Sequence, residues 1–275
     1  MHTFAGTGPA ALLERERELE RARAAMRAVG QGAGCVLVIE GAAGIGKSRV
    51  LEETRGRAVQ LGFRVLSARA TELEQGFPYG VVRQLFERLV AEADEDERQR
   101  WLAGAAALAA EVFTGAPAPA PAPAAGDPAY AWQHGLYWLA SNLSTDAPLV
   151  LAVDDLQWID RPSARALAFI GRRLEGEPLA LILATRPLDP EETPVSASLV
   201  SDPATLVLRP SPLSRAAVGA LVTDSLGAEP HERFTAACLA VTGGNPFLLG
   251  ELLDEAGARG LSPTAAAAGE LAELV

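Results

Sequence analysis

Residues 41–48 have the types and the spacing of a phosphate-binding loop. They read GAAGIGKS and fit the pattern G-x-x-x-x-G-K-[ST] at every fixed position. The glycines allow a tight turn that points backbone N–H groups at an anion, and the helix formers that follow place the loop at a helix N-terminus. In this pattern the lysine reaches the β- and γ-phosphates of a nucleotide, and the serine hydroxyl holds Mg²⁺. The residues expected to bind the nucleotide are Gly41, Ala42, Ala43, Gly44, Ile45, Gly46, Lys47, Ser48 and Arg49.

Two carboxylates follow a second apolar run. Residues 149–156 read LVLAVDDL, which predicts a buried strand that ends in Asp154 and Asp155. Beside a phosphate loop, the first carboxylate completes the Mg²⁺ shell with Ser48, and the second orients or activates water. An ordinary strand that ends in acidic turn residues is the alternative. This alternative is less favoured here, because Mg²⁺–nucleotide chemistry needs both a phosphate loop and a carboxylate, and the sequence has both. We therefore predict Ser48 and Asp154 as metal ligands, and Asp155 and Lys47 as catalytic residues.

A cation follows a further apolar run. Residues 179–185 read LALILAT and predict a buried strand that is followed directly by Arg186. Ligands bind at the carboxyl ends of the strands in open parallel sheets. Arg186 is therefore predicted to bind the nucleotide and to act in catalysis by contacting the γ-phosphate. An ordinary surface arginine is the alternative that the sequence leaves open.

These residues need a parallel sheet to bring them together. The remaining strands are predicted at 36–39, 63–68 and 205–208. Helices are predicted between the strands, at 12–29, 48–61, 79–92 with Pro78 in its first turn, 94–112, 127–143 with Asp127 as its cap, and 160–174. Three further helices, at 213–226, 234–241 and 247–258, have no strand between them. The pattern predicts an α/β fold with a five-stranded parallel sheet flanked by helices and followed by a small helical domain.

The predicted domain organisation follows from the same pattern. A flexible N-terminus at 1–11 precedes a nucleotide-binding domain at 12–210, and a helical domain, expected to be truncated, occupies 211–275. The alternating Ala/Pro stretch at 115–126 is interpreted as a surface loop inside the first domain, because the second half of the nucleotide site lies beyond it.

Composition excludes several classes of protein. The 275 residues carry a net charge of −11, which disfavours non-specific binding of DNA or of an anionic membrane. The two cysteines, Cys35 and Cys238, form no disulfide framework and favour a reducing compartment. No apolar run approaches the ~20 residues that span a bilayer, and no signal peptide is evident. A cytoplasmic protein without a membrane partner is expected.

On these motifs the chain resembles the nucleotide-binding core of the large LuxR-type bacterial transcriptional regulators. These are relatives of the maltose-regulon activator in the STAND group of AAA-related signalling ATPases. The resemblance covers residues 12–258, and its specific parts beyond the phosphate loop are DDLQWID at 154–160, ATRP at 184–187 and TGGNPFLLGELL at 242–253. It implies a P-loop NTPase fold of the AAA-like type, the strand order 5-1-4-3-2, and ATP or ADP with Mg²⁺ as cofactors.

The resemblance also assigns roles to single residues. Gly244-Asn245-Pro246 matches the family's Gly-x-Pro motif, whose proline packs near the adenine, and Arg186 matches the arginine that reads the γ-phosphate. A turn before a capped helix is the alternative reading of the first motif. The family's Gly-Arg-Glu-x-Glu-Leu segment, which lies along the base, is matched by residues 15–19 and places Arg15 there. Glu14 occupies the family's glycine position.

Two classes of function remain in competition. The first is a slowly hydrolysing nucleotide switch of a LuxR-type regulator, which would self-associate in its ATP state. Its contact with DNA would run only through a C-terminal helix-turn-helix, and we find no basic recognition-helix segment in this sequence. The second is a stand-alone turnover ATPase or small-molecule kinase. A kinase needs an acceptor pocket and an arginine-rich lid, which are not evident, although Arg172-Arg173 could act on a neighbouring copy. The lack of an Asn/Thr-Lys-x-Asp motif disfavours guanine.

Overall fold

A computed structural model of the chain describes residues 12–113 and 128–273. The predicted flexible N-terminus, the Ala/Pro loop and the helix cap Asp127 lie outside the described residues. The chain divides into two compact units. The sheet unit consists of Leu19–Gly41 and Leu51–Arg209, and the loop unit consists of the chain up to Glu18, Ala42–Val50 and the chain from Pro210. The predicted domain boundaries stay predictions.

The sheet unit contains five parallel strands in the order β2-β3-β4-β1-β5, which confirms the expected order. The central strands are continuous apolar runs because both of their faces are covered, whereas the edge strand β2 is half-exposed. The strands are β1 at Cys35–Glu40, β2 at Arg64–Arg69, β3 at Leu149–Asp154, β4 at Leu179–Thr185 and β5 at Leu206–Leu208.

Helices follow the strands along the chain, as expected for parallel crossovers. The first eight are α1 at Glu16–Val29, α2 at Lys47–Gln60, α3 at Gly80–Glu92, α4 at Glu95–Trp101, α5 at Ala110–Phe113, α6 at Pro128–Asp146, α7 at Arg161–Gly171 and α8 at Pro194–Val200. The core of the sheet unit joins α3, α6 and α7 to the central strands through fully buried side chains such as Phe86, Leu139 and Leu167. No helix in the described residues has the length and apolarity needed to cross a bilayer.

Two predictions of local structure were wrong, and one helix was missed. The helix predicted at 94–112 is interrupted, because α4 ends at Trp101 and the backbone becomes extended at Ala103. A 3-10 helix, Gly104–Ala109, then begins at Gly104, whose φ is +62°. The helix predicted from Tyr79 begins one residue later. Tyr79 has a φ of +60°, and its N–H donates to Asp160 Oδ1 at 2.8 Å. Helix α8, by contrast, was not predicted at all.

The loop unit holds the three predicted C-terminal helices, and no strand occurs among its described residues. They are α9 at Arg215–Leu226, α10 at Glu232–Thr242 and α11 at Pro246–Ala258. Their shared core contains the fully buried Phe234, Cys238 and Leu249. Side chains cap all three helices, with Ser214 before α9, His231 before α10 and Asn245 before α11.

Candidate functional site

The backbone of the phosphate loop requires its glycines. Gly44 and Gly46 have φ values of +75° and +98°, which lie in the region that residues with a Cβ rarely adopt. Helix α2 begins directly at Lys47, and Ser48 and Arg49 are exposed in its first turn. The loop therefore ends at a helix N-terminus, where the helix dipole and the first N–H groups favour an anion.

Two positively charged side chains hold the loop from both ends. Lys47 is 7% exposed, and its Nζ donates to the carbonyl of Ala42 at 2.9 Å. Arg15 is 2% exposed and donates through Nη2 to the carbonyl of Ile45 at 3.1 Å and through Nη1 to the carbonyl of Glu14 at 2.9 Å. Burial lowers the pKa of the Arg15 guanidinium. Arg15 was predicted to lie along the nucleotide base, and the structure places its guanidinium on the loop backbone.

The start of helix α11 holds the middle of the loop. The Asn245 Nδ2 donates to the carbonyl of Ala43 at 2.8 Å, and the backbone N–H of Phe247 donates to the carbonyl of Gly44 at 3.2 Å. Pro246 is the first residue of α11 and lies between these two donors in the chain. Every carbonyl from 42 to 45 thus accepts a hydrogen bond. Sequence reasoning selected Pro246 and missed Asn245.

Glu14 adopts a backbone conformation that glycine favours. Its φ is +57°, in the left-handed region. Its carboxylate accepts hydrogen bonds from the N–H of Ser214, at 2.8 Å, and from the Ser214 hydroxyl. These bonds lower the pKa of the Glu14 carboxyl. Glu14 therefore links the segment before α1 to the cap of α9, while Arg15 contacts the phosphate loop.

In the sheet unit, the two predicted carboxylates have different environments. Asp154 is the last residue of β3, and its Oδ1 accepts from the N–H of Asp155 at 3.0 Å. Asp155 has a φ of +56°, and its Oδ2 accepts from Arg69 Nε at 3.1 Å and from Nη2 at 3.0 Å. Arg69 was not predicted from the sequence. It is the last residue of β2, and the position of that strand beside β3 brings it to Asp155.

Gln157 joins the ends of two strands and was also missed. Its Nε2 donates to Asp155 Oδ1 at 2.9 Å, and its Oε1 accepts from the N–H of Arg186 at 3.2 Å. Arg186 follows β4, as predicted. The N–H of Gly41, at the exit of β1, donates to the carbonyl of Thr185 at 3.1 Å. The ends of β1, β3 and β4 therefore share one edge of the sheet, where Asp155, Gln157 and Arg186 form a connected group.

Each of the two predicted metal ligands has an oxygen donor. The predicted ligands offer one hydroxyl, from Ser48, and one carboxylate, from Asp154, and both are hard oxygen ligands of the kind that Mg²⁺ prefers. Within 12–113 and 128–273, no group of three or more His, Cys, Asp or Glu side chains is arranged to hold a metal ion. Such a pair holds Mg²⁺ only when phosphate oxygens and water complete the shell.

The comparisons with known proteins agree on the fold. The family profile described as "AAA ATPase domain" matches residues 11–182. The ORC2 protein of Aeropyrum pernix, solved as ADPNP–ADP complexes, aligns with a TM-score of 0.55 and 17% identity over 97% of this chain and 69% of that one. Cdc6p from Pyrobaculum aerophilum aligns with a TM-score of 0.52 and 15% identity over 92% of this chain and 64% of that one. The RuvB K64R mutant of Thermotoga maritima aligns with a TM-score of 0.51 and 10% identity over 94% of this chain and 69% of that one.

These similarities show the fold alone, because the identities are 10–17%. The chain spans about two thirds of the length of these solved chains. A search among curated proteins found no match.

Proposed function

Because the chain belongs to the AAA ATPase domain family, we propose that it binds ATP and ADP with Mg²⁺, hydrolyses ATP slowly, and works as a nucleotide-controlled switch. The phosphate loop carries this proposal. The carbonyls of Ala43, Gly44 and Ile45 are held by side-chain and backbone donors from other segments. In a trans peptide unit the N–H of the next residue points away from the carbonyl. The N–H groups of Gly44 and Gly46 are therefore turned to the opposite side, which suits a phosphate, whereas the Ile45 N–H donates to the Ala42 carbonyl at 3.4 Å.

The proposed metal and catalytic roles divide among three residues. Ser48 and Asp154 would hold Mg²⁺ together with the phosphates, and the ion would neutralise phosphate charge and orient the γ-phosphate. Asp155 would accept a hydrogen bond from the attacking water. Its carboxylate is already paired with Arg69 and hydrogen-bonded by Gln157. Both oxygens of this carboxylate therefore already accept hydrogen bonds, which supports slow hydrolysis.

The proposed switch depends on a ligand that contacts different elements in its two forms. Only differential contact with two conformations can shift their equilibrium. ADP would occupy the phosphate loop with its adenine near Pro246, and ATP would add a γ-phosphate that Arg186 reads. The motifs at 154–160 and 242–253 support a LuxR-type regulator as the parent protein. Its DNA contact would be made by a helix-turn-helix, and its ATP state would self-associate.

Calorimetry with ATP and ADP, with and without Mg²⁺, tests nucleotide binding directly. Turnover and small-angle scattering on the same samples test the switch. We expect Mg²⁺-dependent binding, slow turnover and different scattering profiles in ADP and in a non-hydrolysable ATP analogue. Fast turnover with identical profiles would favour the stand-alone ATPase, phosphoryl transfer to a small molecule would favour a kinase, and absence of binding would refute the proposal.

A further inference from the structure

We propose that Asn245 is a positioning residue that couples helix α11 to the phosphate loop, so that nucleotide affinity depends on the docking of α11 on the loop backbone. This inference rests on the proposed function, because it concerns the loop that would bind the phosphates. It assigns Asn245 a task separate from any contact of Pro246 with the base. The contacts that carry it lie within the loop unit.

The Asn245 side chain uses both ends of its amide. Its Oδ1 accepts from the N–H groups of Phe247, at 3.0 Å, and Leu248, at 3.4 Å, and thereby caps α11. Its Nδ2 donates to the carbonyl of Ala43 at 2.8 Å. The chemistry of these partners fixes the orientation of the amide, because two N–H donors require the oxygen and a carbonyl requires the nitrogen. One side chain therefore starts the helix and holds the loop.

The loop side of the contact requires glycine at position 44. A Cβ at Gly44 would lie 2.6 Å from Asn245 Oδ1 and 2.8 Å from Phe247 Cβ, closer than real Cβ contacts. At Gly46, which also has a positive φ, an added Cβ would meet none of the described atoms within 4 Å. Gly44 thus serves the close approach of α11 in addition to the turn, and Gly46 provides a matched control for backbone strain.

The segment that precedes Asn245 is anchored to the start of α9. Gly244 has a φ of +74°, and a Cβ there would lie 2.5 Å from the carbonyl oxygen of Leu213. The N–H of Leu213 donates to the carbonyl of Gly244 at 2.8 Å, and the N–H of Gly244 donates to Thr242 Oγ1 at 3.2 Å. A displacement at the start of α9 would therefore be transmitted through one residue to Asn245 and on to the loop.

The expected consequence is a pre-ordered loop. A glycine-rich loop loses more backbone entropy on ordering than other segments. Because the bonds from α11 already order the loop in the nucleotide-free protein, nucleotide binding does not have to offset that loss. Losing the Asn245–Ala43 bond should weaken binding of ATP and ADP alike by about 2- to 10-fold. The KM for ATP should rise by a similar factor, because Asn245 acts on the loop that binds the phosphates.

The experiment compares Asn245→Ser with Asn245→Ala. Serine caps helices nearly as well as asparagine but its shorter side chain does not reach Ala43, whereas alanine loses both functions. Hydrogen exchange of residues 41–50 in the nucleotide-free protein reports loop order, and fluorescent ADP reports affinity. We expect both variants to increase exchange in the loop and weaken ADP binding, and only the alanine variant to increase exchange in the first turn of α11.

Substitutions in the loop test the coupling from the other side. Gly44→Ala should increase exchange at 246–250 in the nucleotide-free protein, whereas Gly46→Ala should leave exchange there at the wild-type level. Circular dichroism confirms that each variant is folded. If Asn245→Ser does not fold, Asn245→Asp replaces it, because aspartate keeps the helix cap and lacks the N–H donor.

The outcomes separate the two proposals. A wild-type protein that binds no nucleotide refutes the proposed function, while the exchange data on the nucleotide-free protein still test the coupling. Wild-type exchange in the loop of Asn245→Ser, or equal effects of Gly44→Ala and Gly46→Ala at 246–250, would overturn the inference.

Discussion

Replacing Lys47 by methionine tests the assignment of the phosphate loop most directly. Methionine keeps the length and the apolar stem of lysine but has no donor. The substitution removes the charge-assisted bond to the Ala42 carbonyl at 2.9 Å, worth about 1.5–3 kcal/mol. It also removes the desolvation cost of an ammonium group on a side chain that is 7% exposed. Because the two effects oppose each other, the free energy of unfolding should change by about 1 kcal/mol or less.

The effect of Lys47→Met on nucleotide affinity should be much larger. Contacts of the ammonium with two phosphate groups of ATP contribute about 3–6 kcal/mol, which corresponds to a loss of about 150- to 25,000-fold in affinity. ADP retains only the β-phosphate contact and should lose about 10- to 150-fold. Calorimetry at fixed Mg²⁺ measures both losses, and thermal melts confirm the folded state. A folded variant with wild-type affinity would refute the role of this loop.

A chemical assay on the wild-type protein adds an independent test. Lys47 is the single lysine of the chain, so an amine-reactive acylating reagent has one side-chain target. Bound ATP or ADP should protect Lys47 from acylation, as measured by mass spectrometry, while acylation of the α-amino group provides an internal control. Equal acylation of Lys47 with and without saturating nucleotide would contradict a phosphate contact.

Three further predictions concern the metal ligand, the contact of Glu14 with Ser214 and the γ-phosphate. Asp154→Asn should weaken Mg²⁺-dependent binding, whereas Asp155→Asn should spare binding and lower turnover by about 100-fold or more, and equal effects on binding with unchanged turnover would contradict this division. The hydrogen bonds from Ser214 lower the pKa of the Glu14 carboxyl below its ordinary value of 4.5. The stability that these bonds add is therefore complete above pH 4.5 and is lost as the pH falls through the lowered pKa. The difference in Tm between wild type and Glu14→Gln should therefore shrink in acid, and a pH-independent difference would argue against the contact. Arg186→Ala should abolish the ATP-induced change in scattering and keep ADP affinity; an unchanged response to ATP would exclude Arg186 as the γ-phosphate sensor.

Local pattern in the sequence was sufficient for the strands and for the phosphate loop. A strand covered on both faces must be apolar along its length, so β3 and β4 are visible as continuous apolar runs. The glycines of the loop are required by its own backbone torsions, and the cap Asp160 lies three residues before the N–H group that it binds. In each case the physical cause acts between near neighbours in the chain.

Tertiary structure decided the contacts that hold the site together. Arg69 meets Asp155 only because β2 lies beside β3, and these residues are 86 positions apart. The Asn245–Ala43 bond spans 202 positions. Glu14 has a left-handed backbone, and its carboxylate binds Ser214, 200 positions away. Sequence periodicity identifies which faces are buried, but a polar partner is selected by the register and packing of distant elements, and that selection exists only in the folded chain.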